Sequence, residues 1–317
     1  MHLYYSGNDY MCHMPQIRSR LNKKHKSNHR KHWKDLPISS VIGIAENYLV
    51  TSVEIEMVRS AIAMLNASKR KHRKPTRIMI DSGAFSAWNS GRKVNREKLK
   101  DLYKSLSDWL PGKVDQFFFV NLDVIPGTKG TRPTEEEVDR AASRGWENFE
   151  YFRSHGVPVI HVFHQHEKWE WLHRVCAESN YIGISPANDL PEPKRVKWVR
   201  SCFERIGSSV RCHGYAATGK KMTMAGPWYS VDSISWRNPL RFRRVMKPAE
   251  AILKGIPLSD ISAQDMNHIV RRNTEKVYVP LQRKSTDYWK AKGVNWNDRD
   301  TKEKFWDRWK VGDCRPR

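Results

Sequence analysis

The chain has 317 residues, long enough for one large domain with a substantial core or for two small ones, and its thirteen tryptophans argue for a folded chain. Its formal net charge of +23 and pI near 9.9 are neutral about fold but point to a polyanion as partner, because neutralising phosphates releases counterions. No apolar run approaches the roughly 18 residues of a membrane-spanning helix, and the N-terminal MHLYYSGNDY lacks the basic-then-apolar pattern of a signal peptide.

In chain order, His2–Tyr5 reads as a first strand, and a basic insertion of about residues 16–35 follows it. Within it, Arg18–Lys34 holds eight Lys or Arg and three His without one acid. Val41–Ala45 reads as a second strand, and Ile55, Val58, Ile62 and Leu65 fall on one helical face. Lys69–Arg77 adds six more Lys or Arg and reads as a second basic loop. From these two segments Arg18, Arg20, Lys23, Lys24, Lys26, Arg30, Lys31, Lys69, Arg70, Lys71 and Arg73 are the candidate nucleic-acid contacts.

Arg77–Ile80 is the third strand, and Leu99, Leu102, Leu106 and Trp109 mark the next helix. Phe117–Leu122 is the fourth strand. Thr134 with Glu137 makes a capping box ahead of an apolar stripe through Val138, Ala142, Phe149 and Phe152. Val159–Phe163 and Tyr181–Ile184 are the fifth and sixth strands, and Val196, Val199, Phe203 and Ile206 mark a helix. Val210–His213 and Tyr229–Val231 are the seventh and eighth strands, with a short helix near Met222–Ala225 between them. Continuous β-branched or aromatic runs of this length suit buried parallel strands, and strands alternating with helices predict an α/β fold. Eight such strands suit a (β/α)8 barrel over residues 1–245. The rival is an open doubly wound sheet, whose phosphate-binding G-x-G-x-x-G does not occur.

Residues 246–317 read as a helical, basic C-terminal extension, through Ala249–Lys254 and Ser259–Arg272 to a tail carrying Trp289, Trp296, Trp306 and Trp309. Those indoles suit base stacking among cations, and equally the packing of a helical cap against the barrel. The five cysteines, Cys12, Cys176, Cys202, Cys212 and Cys314, form no C-x-x-C, so neither a disulfide framework nor a four-cysteine zinc site is expected. A reducing, cytoplasmic compartment fits, the host's cytoplasm if the chain is viral, and a monomer is compatible with the sequence.

Polar residues collect just after the strands: Asp81-Ser82-Gly83 after the third, Asp123 after the fourth, His164-Gln165-His166 after the fifth, Gly183 and Ser185 in the sixth, His213-Gly214 after the seventh and Asp232-Ser233 after the eighth. In a barrel these strand ends meet at one face, where catalytic groups sit. One aspartate after a strand is most often a helix cap; six polar groups at the same end of six strands are more than that. Two carboxylates facing one pocket suit glycosidic chemistry, one as nucleophile and the other as the acid that protonates the leaving group.

The string DSGAF at Asp81–Phe85 resembles the D-S-G-G-[FY] motif of the tRNA-guanine transglycosylase superfamily. The resemblance continues in order through NLDV, VFHQ, YIGIS, CHGYA and SVDSISW, over roughly residues 77–236. It is closest to the phage and bacterial members that insert 7-deazaguanines into DNA, with DYWKAKGVNW at Asp287–Trp296 as a further similar segment. The resemblance implies exchange of guanine in DNA for a 7-deazaguanine of the preQ0 type. Asp232 would be the nucleophile of a covalent glycosyl-enzyme and Asp81 the general acid and base. Asp123 would read the Watson–Crick edge of guanine, Gln165 and the backbone of Gly183 and Ile184 would contact its carbonyl, and Phe85 would stack on one face. His213 would lie at the other face, with Gly83 and Gly214 allowing close backbone approach. The tRNA enzymes hold structural zinc through C-x-C-x-x-C and a later histidine. No cysteine lies here between Cys212 and Cys314, so that zinc is not expected, and basic arms would take over substrate contact. Two alternatives remain: the same exchange on RNA, and a barrel that binds nucleic acid without catalysis.

Overall fold

The structure is a computed structural model and describes residues 1–5, 47–51, 58–59, 77–128, 130–206, 210–233, 235, 269, 271–294 and 296. Nine parallel strands make one sheet: β1 (His2–Tyr5), β2 (Asn47–Thr51), β3 (Arg77–Asp81), β4 (Gln116–Val120), β5 (Val159–Ile160), β6 (Val162–His164), β7 (Tyr181–Ser185), β8 (Arg211–Gly214) and β9 (Ser230–Ser233). The helices are α1 (Ala84–Asn89), α2 (Arg96–Trp109), α3 (Glu135–Ser154), α4 (Trp169–Glu178), α5 (Glu192–Ile206), α6 (Lys220–Thr223) and, after a π-helical turn at Thr274–Tyr278, α7 (Val279–Ala291). The fold is α/β with a parallel sheet, as the alternation predicts.

Local chemistry explains the boundaries. Thr134 caps α3 by the predicted box: its Oγ1 accepts from Glu137 N–H at 3.2 Å while the Glu137 carboxylate accepts from Thr134 N–H at 2.8 Å. Asn95 caps α2 by accepting from Lys98 N–H at 3.0 Å. The apolar stripes of α2, α3 and α5 are buried at Leu99, Leu106, Val138, Ala142, Phe149, Phe152, Val196, Val199, Phe203 and Ile206.

Successive strand residues divide between two apolar clusters, as the period of two demands. Ile78, Ile80, Phe119, Ile182, Ile184 and Val231 pack with the helices. Tyr4, Leu49, Met79, Phe118, Val120, Ile160, Val162 and Tyr181 pack with one another on the other face. The strand order is β5-β4-β3-β2-β1-β9-β8-β7-β6. Five strands separate β4 from β7 in that order, yet Phe118 and Tyr181 meet edge to face with centroids 5.2 Å apart. The two ends of the order, β5 and β6, flank His161. Its neighbour Ile160 accepts from Asn121 N–H at 2.9 Å on the β4 side, and its own carbonyl accepts from Gly183 N–H at 2.7 Å on the β7 side.

The sequence readings need three adjustments. The second strand is Asn47–Thr51, downstream of the predicted Val41–Ala45, which lies outside the described residues. The single strand expected at Val159–Phe163 is two, because pairing passes from β4 to β7 at His161. Arg77 does not belong to a basic arm: it opens β3, is buried, and donates from Nε to Gln116 Oε1 at 2.9 Å. Trp296 is a packing residue, 9 % exposed, edge-on to Tyr229 and donating to Pro227 O at 3.1 Å. Helix α7 holds to the rest through Ser285, whose hydroxyl donates to Thr223 O at 3.0 Å. The face of Ile55, Ile62 and Leu65, the helices at Ala249–Lys254 and most of Ser259–Arg272, and Trp306 and Trp309 lie outside the described residues.

Candidate active site

All strands run the same way, so the residues that end them share one edge of the sheet. Asp81 closes β3, Asp232 lies in β9, Asp123 follows β4 and Gln165 follows β6. Counting by two along each strand puts Asp81, Gly183 and Asp232 on the face that carries Met79, Tyr181 and Ser230. Tyr215, one residue past β8, continues the face of Arg211 and His213.

Tyr215 is where the site converges. Burial holds its phenol well above the usual range, and the charges of Asp81, Asp123 and Asp232 each push it further. Carboxylates from the neighbouring strands β3 and β4 and from β9 therefore bear on one tyrosine. Its hydroxyl is buried and has no hydrogen-bond partner among the described residues. Its ring lies against Gly183: a methyl group there would sit 2.6 Å from Tyr215 Cε2, so only glycine fits beneath it. Gly214 is equally constrained, since a methyl group would sit 2.7 Å from Ala217 Cβ and 2.9 Å from the Trp228 ring.

Asp232, 7 % exposed, is oriented by the turn after β8. Its Oδ1 accepts from Ala216 N–H at 3.2 Å and lies 3.4 Å from His213 Nε2. Ala216 adopts φ 51°, a left-handed conformation uncommon for a residue with a Cβ. Behind the histidine a chain continues: His213 Nδ1 to Ser230 Oγ at 2.6 Å, and Ser230 Oγ to Tyr181 Oη at 2.6 Å. When Ser230 donates to Nδ1, the ring's proton sits on Nε2 and faces the carboxylate. His213 is fully buried, edge-on to Tyr4 and to Tyr215 at 4.6 Å, which makes it a support for Asp232 rather than one wall of an open slot.

Asp81 accepts from Gly83 N–H at 3.1 Å through Oδ2. Asp123 pairs with His164, Nε2 to Oδ2 2.9 Å. Burial works against the charge on that imidazole, but the Asp123 carboxylate and then Glu167 outweigh it, and the His164 pKa lies above the ordinary value. Glu167, also buried, has its carboxyl pushed up to about 7 by desolvation, with His164 pulling it down and Asp123 adding to the rise. On the far side of the strand, His161 is driven down to about 3 by burial, so it accepts from the Asn121 amide at 3.0 Å as a neutral ring.

The remaining candidates are placed less uniformly. Gln165 is buried, and its Oε1 accepts from Ala187 N–H at 3.0 Å, leaving the amide N–H2 as the end able to meet a carbonyl. The Gly183 N–H goes to His161 O, and the Ile184 carbonyl accepts from Tyr215 N–H at 3.0 Å, so these two backbone groups are engaged within the sheet. Phe85 is 54 % exposed and leans on Trp88 at 5.9 Å. Arg18, Arg20, Lys23, Lys24, Lys26, Arg30, Lys31, Lys69, Arg70, Lys71 and Arg73 lie outside the described residues. Sequence reasoning passes over Tyr215 and Glu167 as members of the site, and notes His164 only as one of the polar residues after a strand. The signal for Tyr215 is the alternation Arg211, His213, Tyr215; for the other two it is the string HQHE beside the strand end.

Among the described residues no cluster of His, Cys, Asp or Glu has the makings of a metal site, and no helix is long and apolar enough to cross a membrane. No family model matches the chain, and no curated protein matches it.

Proposed function

We propose that the chain exchanges guanine in DNA for a 7-deazaguanine, at the strand ends of a (β/α)8 barrel. The observation that carries this reading is the placement of Asp81, Asp123 and Asp232 at the same end of their parallel strands, with the charge of each bearing on Tyr215. The ordered motifs shared with the tRNA-guanine transglycosylase superfamily support it, and so does the +23 charge, which suits a phosphate-rich substrate. The barrel reading is supported by the strand order, whose two ends flank a single residue, and by the Phe118–Tyr181 contact. On that reading β5 and β6 are one strand pinched at His161.

The chemistry follows from the placement of the acids. The Asp232 carboxylate attacks C1′ of the nucleotide; the C1′–N9 bond breaks, its electron pair leaves with guanine, and Asp81 supplies the proton that makes guanine a neutral leaving group. Asp123, held by His164, accepts from the N–H groups of the base edge. The incoming 7-deazaguanine gives its N9 proton to Asp81, attacks C1′ and frees Asp232. The base must leave the stack to reach this site, so the DNA is flipped or single-stranded there.

The test is incorporation of labelled guanine into DNA, and into RNA in parallel, followed by mass spectrometry of the nucleosides. Label in DNA and not RNA is the expected result. Label in RNA moves the substrate to RNA. Binding of either polymer without incorporation leaves a non-catalytic binder.

A further inference from the structure

Guanine presents N–H donors along one part of its edge and a carbonyl oxygen at the other. Asp123, the aspartate assigned to that edge, can meet only the donors, since an ionised carboxylate only accepts. A donor for the carbonyl must come from elsewhere. Of the groups expected there, Gln165 and the backbone of Gly183 and Ile184, the Gly183 N–H is committed to His161 O at 2.7 Å. Directly over that glycine lies the ring of Tyr215, its hydroxyl buried without a partner among the described residues. A buried hydroxyl left unpaired costs stability, and a bound acceptor removes that cost.

We propose that the Tyr215 hydroxyl donates the hydrogen bond that reads the carbonyl oxygen of the bound base, in addition to the amide N–H2 of Gln165, and so selects a 6-oxopurine. This rests on the base-exchange reading of the site. The phenol is suited to donate, because burial and the three surrounding carboxylates keep its proton on. It is also held in place before any base arrives. Gly183 leaves just the room its ring takes, its N–H is tied to Ile184 O at 3.0 Å, and the His213 ring supports it edge-on at 4.6 Å. A donor fixed in advance loses little freedom on binding.

Tyr215→Phe removes the donor and keeps the ring. The probes are guanine and 6-thioguanine, which share the N–H edge and differ in the atom at position 6, where sulfur is the weaker acceptor. Equilibrium binding of each base to the full-length protein is measured for both forms, with thermal melting to confirm that the variant folds. The expected result is a loss of guanine affinity of about tenfold or more in the variant, with 6-thioguanine nearly unchanged, so that the preference for guanine collapses. Equal losses for both bases assign Tyr215 to packing, and no loss for either leaves its hydroxyl without a role; each overturns the proposal. A wild-type protein that binds neither base and incorporates no label overturns the base-exchange reading itself. A variant with normal exchange and an unchanged preference overturns only the role of the hydroxyl.

Discussion

The two ends of the strands carry charges of opposite sign and treat them differently. At the starting ends lie the cations Arg77 and Arg211. Arg77 bonds to Gln116, and Arg211 lies over the Tyr229 ring at 4.9 Å, with Trp296 closing the same aromatic group. At the finishing ends lie Asp81, Asp123 and Asp232 around a tyrosine whose hydroxyl has no partner among the described residues. Both cations meet neutral groups of the chain itself, an amide oxygen and an aromatic face, so the first end reads as structure completed within the chain. The second, although His164 and His213 face two of its carboxylates, leaves the Tyr215 hydroxyl open, an arrangement that a ligand can complete. Polar groups buried at an edge are informative less by their number than by whether the chain itself satisfies them.

That contrast can be broken most sharply at Asp232. Asp232→Asn should lower base exchange by about ten-thousand-fold or more while leaving nucleic-acid binding intact, since an amide is a poor nucleophile. Wild-type protein denatured during turnover should carry covalently attached nucleic acid, and the variant none. Asp81→Asn should cost about a hundred- to ten-thousand-fold by removing the proton for the leaving guanine. Adduct formed on Asp81 instead would exchange the two roles.

A smaller effect is expected from Glu167, on stability. Its folded carboxyl titrates near 7 against an ordinary 4.5, so between those values the native chain holds a proton that the unfolded chain has released. Stability should therefore fall as pH rises through that window and level off above it. Glu167→Gln should flatten the decline and be the more stable form at pH 8, by about 3 kcal/mol. Melting curves of both forms across pH decide this; parallel profiles would remove the buried carboxyl from the explanation.

At the opposite end, Arg77→Ala should cost about 1–3 kcal/mol by stranding the Gln116 carbonyl, and should leave exchange per folded molecule unchanged. A loss of exchange out of proportion to the urea midpoint would mean that the two ends are coupled. The mildest change is expected from neutralising the cations of Arg18–Lys34. For every phosphate that the segment no longer neutralises, the log–log salt slope of duplex-DNA binding should fall by about 0.9. An unaltered slope would assign that segment to some other task.

Much of this is legible in the sequence where the signal is local. The first strand is read to the residue, and β3, β4, β7, β8 and β9 to within two; β3, β4 and β7 are mostly apolar runs, and β8 and β9 are short strands bounded by Gly214 and Asp232-Ser233. The strand at Asn47–Thr51 goes unread because NYLVT lies beside VIGIA with equal strand character, and its pairing with β1 and β3 leaves no local mark. The break at His161 is invisible for the same reason: a change of pairing partner leaves no mark on composition. The π-helical turn precedes Pro280, whose missing N–H cannot continue an α-helical ladder, a local cue that periodicity passes over. The aspartates stand out because each follows or ends a strand. Tyr215 and Glu167 do not, because what distinguishes them is the company of side chains from remote strands.

The backbone at Ala216 has a further consequence. A residue with a Cβ held at φ 51° carries about 1–2 kcal/mol of conformational energy, and the same residue's N–H fixes the direction of Asp232 Oδ1. Glycine would relax that turn and fold more easily, but it would also let the amide wander and the carboxylate with it. Thermal robustness and the aim of the carboxylate thus pull in opposite directions at one exposed position, and the chain has settled on aim.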